Sequence, residues 1–248
     1  MTGSKNCRVI AVSGPAALAK TAADRLLARI AANDGRVAIC LTGGSSPQQL
    51  YRLLATDEYR SRIPWDRAHW FIGDERFVGA DDALNNMGAA RRLFLDRQAP
   101  VSNIHPIKTN TASTEEAAQR YESELKSFYA ADDLDPARPL FDLVLMGVGP
   151  DGHTASLFPG YPAIEETGRW VTGVPEAHVE PFVPRVSLTL AALGSCREML
   201  FEVAGADKRA ILTRVLDGED LPANRVHSIG ETIWLVDQAA LPENFRGQ

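Results

Sequence analysis

The chain has 248 residues, 45% of them apolar and 23% charged, with a formal net charge of −6. That is the make-up of an ordinary soluble globular protein, long enough to bury a core without disulfides or a structural metal. The acidic balance argues against a general binder of nucleic acid or anionic membrane, and no apolar run approaches the roughly 20 residues of a membrane span.

One α/β domain is expected over residues 1–248. A cytoplasmic setting is expected too, because residues 1–6 lack the apolar core of a signal peptide. The three cysteines, Cys7, Cys40 and Cys196, match no metal-binding spacing and read as small buried thiols of a reducing compartment.

Residues 8–12 are a short apolar run that predicts a strand. A helix is predicted at 15–32, where Pro15 suits the first turn and Leu18, Ala22, Leu26, Leu27 and Ile30 share one stripe. A second buried strand is predicted at 37–41. Thr42-Gly43-Gly44-Ser45-Ser46-Pro47 is then a turn, and Pro47 opens a helix to residue 54. The glycines let backbone N–H groups approach an anion, the helix N-terminus adds its dipole, and Ser45 and Ser46 add hydroxyls. The segment suits a phosphate monoester and reads equally as a plain tight turn with a serine cap. It is not a Walker loop, because the Lys-Ser/Thr pair is missing.

A third strand at 69–72 runs into Gly73-Asp74-Glu75-Arg76. Charges at a strand end rarely bury without partners. Arg76 suits a phosphate clamp, with Asp74 and Glu75 orienting it or meeting sugar hydroxyls; a salt-bridged surface turn is the plainer reading. Helices are predicted at 86–95 and 114–129. The second has Glu115 and Glu116 in its first turn, but Thr114 with Ala117 is not a full capping box.

A strand at 141–146 leads into Gly147-Val148-Gly149-Pro150-Asp151-Gly152-His153. This formally matches G-x-G-x-x-G. Pro150 interrupts the loop, Pro159 cuts the next helix short, and Glu165 and Glu166 do not end a second strand, so the dinucleotide context is absent. The turn instead presents Asp151 and His153 at a strand's carboxyl end, where open α/β sheets bind ligands. A histidine there exchanges protons near neutral pH, and we read it as catalytic rather than structural.

Further strands are predicted at 170–174, 186–190, 198–203 and 232–236, with a helix at 206–216. Arg185 sits just before a strand. Lys208 falls in a first helical turn, where it opposes the macrodipole unless it neutralises a bound anion. The proline-rich segments 159–162 and 175–184 look like active-site loops. His69, His105, His178 and His227 carry no comparable signal. The alternation argues for a largely parallel sheet with helices on both faces.

Several segments in order (41–47, 70–78, 85–87, 147–159, 184–187 and 205–208) together resemble the glucosamine-6-phosphate isomerase/6-phosphogluconolactonase family. The resemblance implies a modified Rossmann-like fold with no cofactor and no metal. It implies hydrolysis of 6-phospho-D-glucono-1,5-lactone to 6-phospho-D-gluconate in the oxidative pentose phosphate pathway. The partner is then a small sugar-phosphate lactone, with no nucleic acid or membrane, acted on by a monomer or dimer. By the family pattern His153 is the general base, and Gly43, Gly44, Ser45, Arg76, Arg185 and Lys208 bind phosphate. Asp151 stands as a candidate to orient the imidazole or stabilise the imidazolium, and Asp74 as a candidate for a base or orienting role. Deaminase relatives have a glutamate in Asn-Glu-Pro where this chain has Leu157-Phe158-Pro159, and tend to Asp-Glu-Tyr where it has Arg76. Both departures favour the lactonase branch. A non-catalytic sugar-phosphate sensor is the other alternative, but the chain has no basic helix-turn-helix extension and keeps His153.

Overall fold

The computed structural model describes residues 7–243 and residue 245; residues 1–6, on which the signal-peptide reading rests, lie outside them. The strands are β1 (Cys7–Val12), β2 (Val37–Leu41), β3 (Ala68–Ile72), β4 (Asp74–Arg76), β5 (Leu143–Met146), β6 (Val171–Val174), β7 (Arg185–Leu188), β8 (Glu198–Val203) and β9 (Glu231–Asp237). The α-helices are α1 (Pro15–Ala31), α2 (Ser46–Leu54), α3 (Asp57–Arg60), α4 (Asn86–Ala90), α5 (Thr114–Tyr129), α6 (Leu190–Gly194), α7 (Arg209–Leu216) and α8 (Pro222–Arg225).

Six strands make a parallel sheet in the order β1-β9-β8-β5-β2-β3. The inner strands β2 and β5 are continuous apolar runs, because both faces are covered. Successive residues point to opposite faces, and β3 shows what lies on each. Trp70 packs edge-on against Phe94, which stacks on Tyr51 of α2, whereas its neighbour Phe71 meets Phe128 of α5.

The strand order places the site. The chain runs outward from β2 to β3 on one side, and from β5 through β8 to β9 on the other. Strands β2 and β5 therefore flank the point where the order reverses, and the turns after them open side by side.

The structure corrects several sequence expectations. Gly73 does not end the third strand in a free turn. The chain continues as β4 into a separate antiparallel sheet, β4-β7-β6. Three charged residues carry no apolar period, so only their distant partner reveals them as a strand. The predicted helix at 86–95 changes to a π-helix at Arg91–Leu95. That at 206–216 begins with a 3-10 turn, Ala206–Lys208. The cap of α5 is Ser113, one residue earlier than expected. Its Oγ accepts from the Glu116 N–H (3.1 Å), and Glu116 Oε2 accepts from the Ala112 N–H (2.9 Å).

Cys40 and Cys196 are buried as expected, but Cys7 is exposed because β1 is an edge strand. Burial raises the Cys40 thiol and pushes Cys196 up to about 12, so both stay protonated and inert. Among the described residues no helix is long and apolar enough to cross a membrane.

Candidate active site

The turn after β2 is shaped by its two glycines. Gly44 has φ +104°, in the region that favours glycine. A Cβ on Gly43 would lie 2.1 Å from Asn86 Oδ1, so any side chain there would displace the asparagine. The Tyr51 hydroxyl donates to Thr42 O (2.7 Å) and accepts from the Thr42 N–H (3.1 Å), tying the turn to the helix it feeds. Ser45 is the N-cap residue of α2, yet its side chain caps nothing. The first N–H groups of α2 are thus left for another acceptor.

The small sheet supplies two cations. In the antiparallel β4–β7 register Arg76 stands directly opposite Arg185. Like charges in that position repel one another, so the pair calls for an anion. Among the described residues neither guanidinium pairs with a carboxylate. Arg76 Nη1 donates to Leu84 O (2.9 Å), and its buried Nε has no hydrogen-bond partner among the described residues. Arg185 donates to Val183 O (3.3 Å) and Pro181 O (2.9 Å). Burial pushes the Arg185 guanidinium below its ordinary value; Asp74 opposes this shift and Arg76 adds to it. Lys208, which precedes α7, reaches back to Val148 O (2.9 Å). All three cations are anchored on backbone oxygens, which leaves their charge for a ligand.

The turn after β5 supplies the imidazole. Gly149 N–H donates to His153 O (2.8 Å), and Thr154 Oγ1 donates to Gly147 O (2.8 Å), closing the loop on itself. The His153 ring lies on Gly149, where a Cβ would come within 2.0 Å of Cε1. Asp151 Oδ1 accepts from the His153 backbone N–H (3.1 Å) and lies 2.6 Å from Nδ1. That contact puts the neutral ring's proton on Nδ1 and leaves the Nε2 lone pair free to act as a base. Burial raises the Asp151 carboxyl, but the hydrogen bond and charge of His153 outweigh it and hold the group well below the ordinary carboxylate range. The buried Phe158 ring packs 4.9 Å from the imidazole.

These parts face one cleft of about 240 Å³. Its walls include Gly43, Gly44, Ser45, Asp74, Arg76, Asn86, Gly149, His153, Arg185, Glu202 and Lys208. A larger cavity of about 770 Å³ lies at the β1 edge, lined by residues such as Cys7, Asp217 and Trp234, and contains none of the predicted site residues.

The two carboxylates expected near His153 separate. Asp151 holds the ring, whereas Asp74 accepts from Ser156 Oγ (2.6 Å). Glu75 turns away from the cleft. It is fully buried and accepts from the backbone N–H groups of Arg76, Asn86 and Met87 at the start of α4. Burial, only partly offset by these donors, pushes it up to about 7. Its expected contact with sugar hydroxyls is therefore replaced by a capping role.

Sequence reasoning missed four residues here. Asn86 donates to Asp74 O (3.0 Å) and packs on Gly43, linking the two turns. Ser156 holds Asp74. His178 Nε2 reaches Asp151 Oδ2 (3.2 Å), and its ring stacks on Tyr161. Glu202 is buried on β8 with neither oxygen hydrogen-bonded among the described residues. The cost of leaving such a group unsatisfied is about 1–3 kcal/mol, so it needs an explanation. Its one sequence signal is a glutamate inside an apolar strand, two residues past Leu200 on the same face.

Known proteins share this sequence and fold. The family model for glucosamine-6-phosphate isomerases/6-phosphogluconolactonase matches residues 13–234. The chain is 40% identical over 221 residues to a 6-phosphogluconolactonase of Synechocystis, covering 87% of each protein. It is 36% identical over 232 residues to the human 6-phosphogluconolactonase, covering 91% of this chain and 87% of that one. The crystal structure of 6-phosphogluconolactonase from Thermotoga maritima superposes with a TM-score of 0.80 at 29% identity, covering 94% of this chain and all of that one. With this extent of sequence matched and a modified Rossmann-like fold in common, the chain belongs to the glucosamine-6-phosphate isomerase/6-phosphogluconolactonase family.

Proposed function

We propose that this chain hydrolyses 6-phospho-D-glucono-1,5-lactone to 6-phospho-D-gluconate, with His153 as general base. The observation that carries the reading is the pairing of two features in one cleft. Three cations anchored on backbone oxygens stand there with an imidazole whose Nδ1 is held by Asp151. The phosphate sits on the turn of Gly43, Gly44 and Ser45 at the start of α2, and Arg76, Arg185 and Lys208 surround it. Remote from the reacting carbonyl, it supplies binding energy that positions the lactone.

Water attacks the lactone carbonyl and gives its proton to His153 Nε2. The resulting imidazolium donates from Nδ1 to Asp151, whose carboxylate balances the charge. The tetrahedral oxyanion that forms calls for N–H donors in the cleft. Collapse breaks the bond to the ring oxygen, and the imidazolium protonates that departing alkoxide, which stays tethered to the product. His153 is then neutral again, with no covalent intermediate.

Phe158 supports this reading over the deaminase. Its ring, wholly buried against His153 and beneath the Arg185 guanidinium (5.9 Å), stands where deaminase relatives place an acid. Amine isomerisation needs that extra proton donor, and lactone hydrolysis does not. Freshly prepared 6-phosphogluconolactone and glucosamine 6-phosphate, assayed in parallel with enzyme-free controls, test the assignment. Turnover of the lactone alone is expected; deamination without lactone hydrolysis would refute it, and binding without turnover would point to a sensor.

Asp151→Asn is expected to lower kcat by about 10²-fold or more, because an amide can donate to Nδ1 and hold the wrong tautomer. KM should change little. Since Asp151 is held below the ordinary carboxylate range, it stays ionised above about pH 4, and its protonation adds no step to the wild-type rate profile from there to about pH 9. An Asn variant with wild-type kcat would remove Asp151 from the mechanism.

A further inference from the structure

Glu198 and Glu202 lie on β8 four residues apart and face the same side of the sheet. Both are buried, at 1% and 3% exposure. Their surroundings differ. Glu198 is held by two guanidiniums of α1, Arg25 (2.5 Å) and Arg29. Glu202 has no equivalent: neither of its carboxyl oxygens has a hydrogen-bond partner among the described residues. It follows Phe201, whose register partner is Met146, and so stands beside Gly147, where the turn carrying His153 begins. It also lines the cleft with residues 42–46 and Lys208. A buried acid that no described residue satisfies, on the wall of a cleft built for an anion, is a group left for the ligand.

We propose that Glu202 is a substrate-binding residue that, as the neutral acid, donates its carboxyl O–H to a phosphoryl oxygen held at the turn of Gly43, Gly44 and Ser45. This rests on the phosphosugar reading above. A neutral carboxyl is a donor to phosphate, whereas a carboxylate would repel it.

The protonation state follows from the surroundings. Burial alone pushes Glu202 up to about 8, so it is largely neutral at pH 7. From α2 it faces the field of Tyr51, whose hydroxyl burial keeps neutral, and Cys40 of β2, near Tyr51, is likewise protonated. Its register partner on β9 is the apolar Leu235, and on the β5 side it stands beside Gly147, one residue past the Met146–Phe201 pair. Arg25 and Arg29 of α1 are held by Glu198. Asp74, Arg76, His153, Arg185 and Lys208 line the rest of the cleft, and none is hydrogen-bonded to Glu202.

The test is calorimetric titration of the full chain with 6-phosphogluconate at about pH 6.5 and about pH 9, for wild type, Glu202→Gln and Glu202→Leu. Wild-type affinity is expected to fall about 10-fold as the donor becomes a carboxylate. Glu202→Gln, whose amide N–H still donates, should match wild type at the lower pH and escape that fall. Glu202→Leu should bind about 10-fold more weakly at the lower pH. Other groups of the cleft titrate in all three proteins, so the differences among them isolate Glu202.

Thermal melting gives a second readout. The native state keeps a proton that the unfolded chain releases between about pH 4 and pH 8, so wild-type stability falls across that window relative to both variants. Glu202→Leu should therefore raise Tm while weakening binding, the pattern of a group reserved for a ligand. A lowered Tm with unchanged affinity would assign Glu202 to the fold and overturn the proposal. So would wild-type affinity in both variants at both pH values. A wild-type chain that neither binds 6-phosphogluconate nor hydrolyses the lactone would overturn the phosphosugar reading, and this proposal with it.

Discussion

His153→Ala is expected to lower kcat by about 10³-fold, the middle of the range for removing a positioned general base. Binding of 6-phosphogluconate should stay within about 3-fold of wild type, because the phosphate contacts come from other elements. The geometry predicts this split. The imidazole is carried by the turn after β5, whereas the cations come from β4, β7 and the residue before α7. Removing the ring also leaves space beside Phe158 and Gly149, so His153→Asn should be measured alongside, with a melting curve for each. The δ-lactone hydrolyses unaided, and that rate sets the floor of the assay. Intact turnover with weakened binding would show that His153 holds the substrate instead of moving its proton.

Arg76→Ala should produce the second largest effect, and a selective one. Charge-assisted hydrogen bonds are worth about 1.5–3 kcal/mol, so kcat/KM for the phosphorylated lactone should fall about 10- to 100-fold. Turnover of unphosphorylated gluconolactone should be nearly unchanged. Arg76→Lys should recover only part of the loss, since an ammonium lacks the planar fork that meets two phosphate oxygens. The buried, unpaired Nε and the opposed Arg185 are the reason to expect so large an effect from one side chain. If both lactones lose activity equally, Arg76 serves the loop at Leu84 and the phosphate lies elsewhere.

The strands of the parallel sheet were legible because their information is local. A run such as Val37 to Leu41 is apolar throughout and ends in glycine and proline signals, and all five of its residues are buried. The turns at Gly43 and Gly149 were legible for a similar reason. Glycine marks a close approach, although only the structure identifies the approaching groups as Asn86 and the His153 ring. The strand β4 was not legible, because Asp74, Glu75 and Arg76 have no apolar period and take their extended form from pairing with Ser187, Val186 and Arg185. His178 was missed because nothing local marks it, and it reaches Asp151 only when its proline-rich segment folds over the turn.

By itself the sequence determined the alternation of strands and helices, the two glycine turns, and the residue types able to hold an anion and move a proton. These follow from side-chain period and backbone freedom, which each short segment carries within itself. Only the tertiary structure decided which of those groups act together. The order of the sheet reverses between β2 and β5, which sets their turns side by side, and the β4–β7 register sets Arg76 against Arg185. The same packing gave Asp74 to Ser156, buried Glu75 as a cap and left Glu202 unsatisfied among the described residues. Partner choice among like residues depends on distance and burial, and neither exists until the chain is folded.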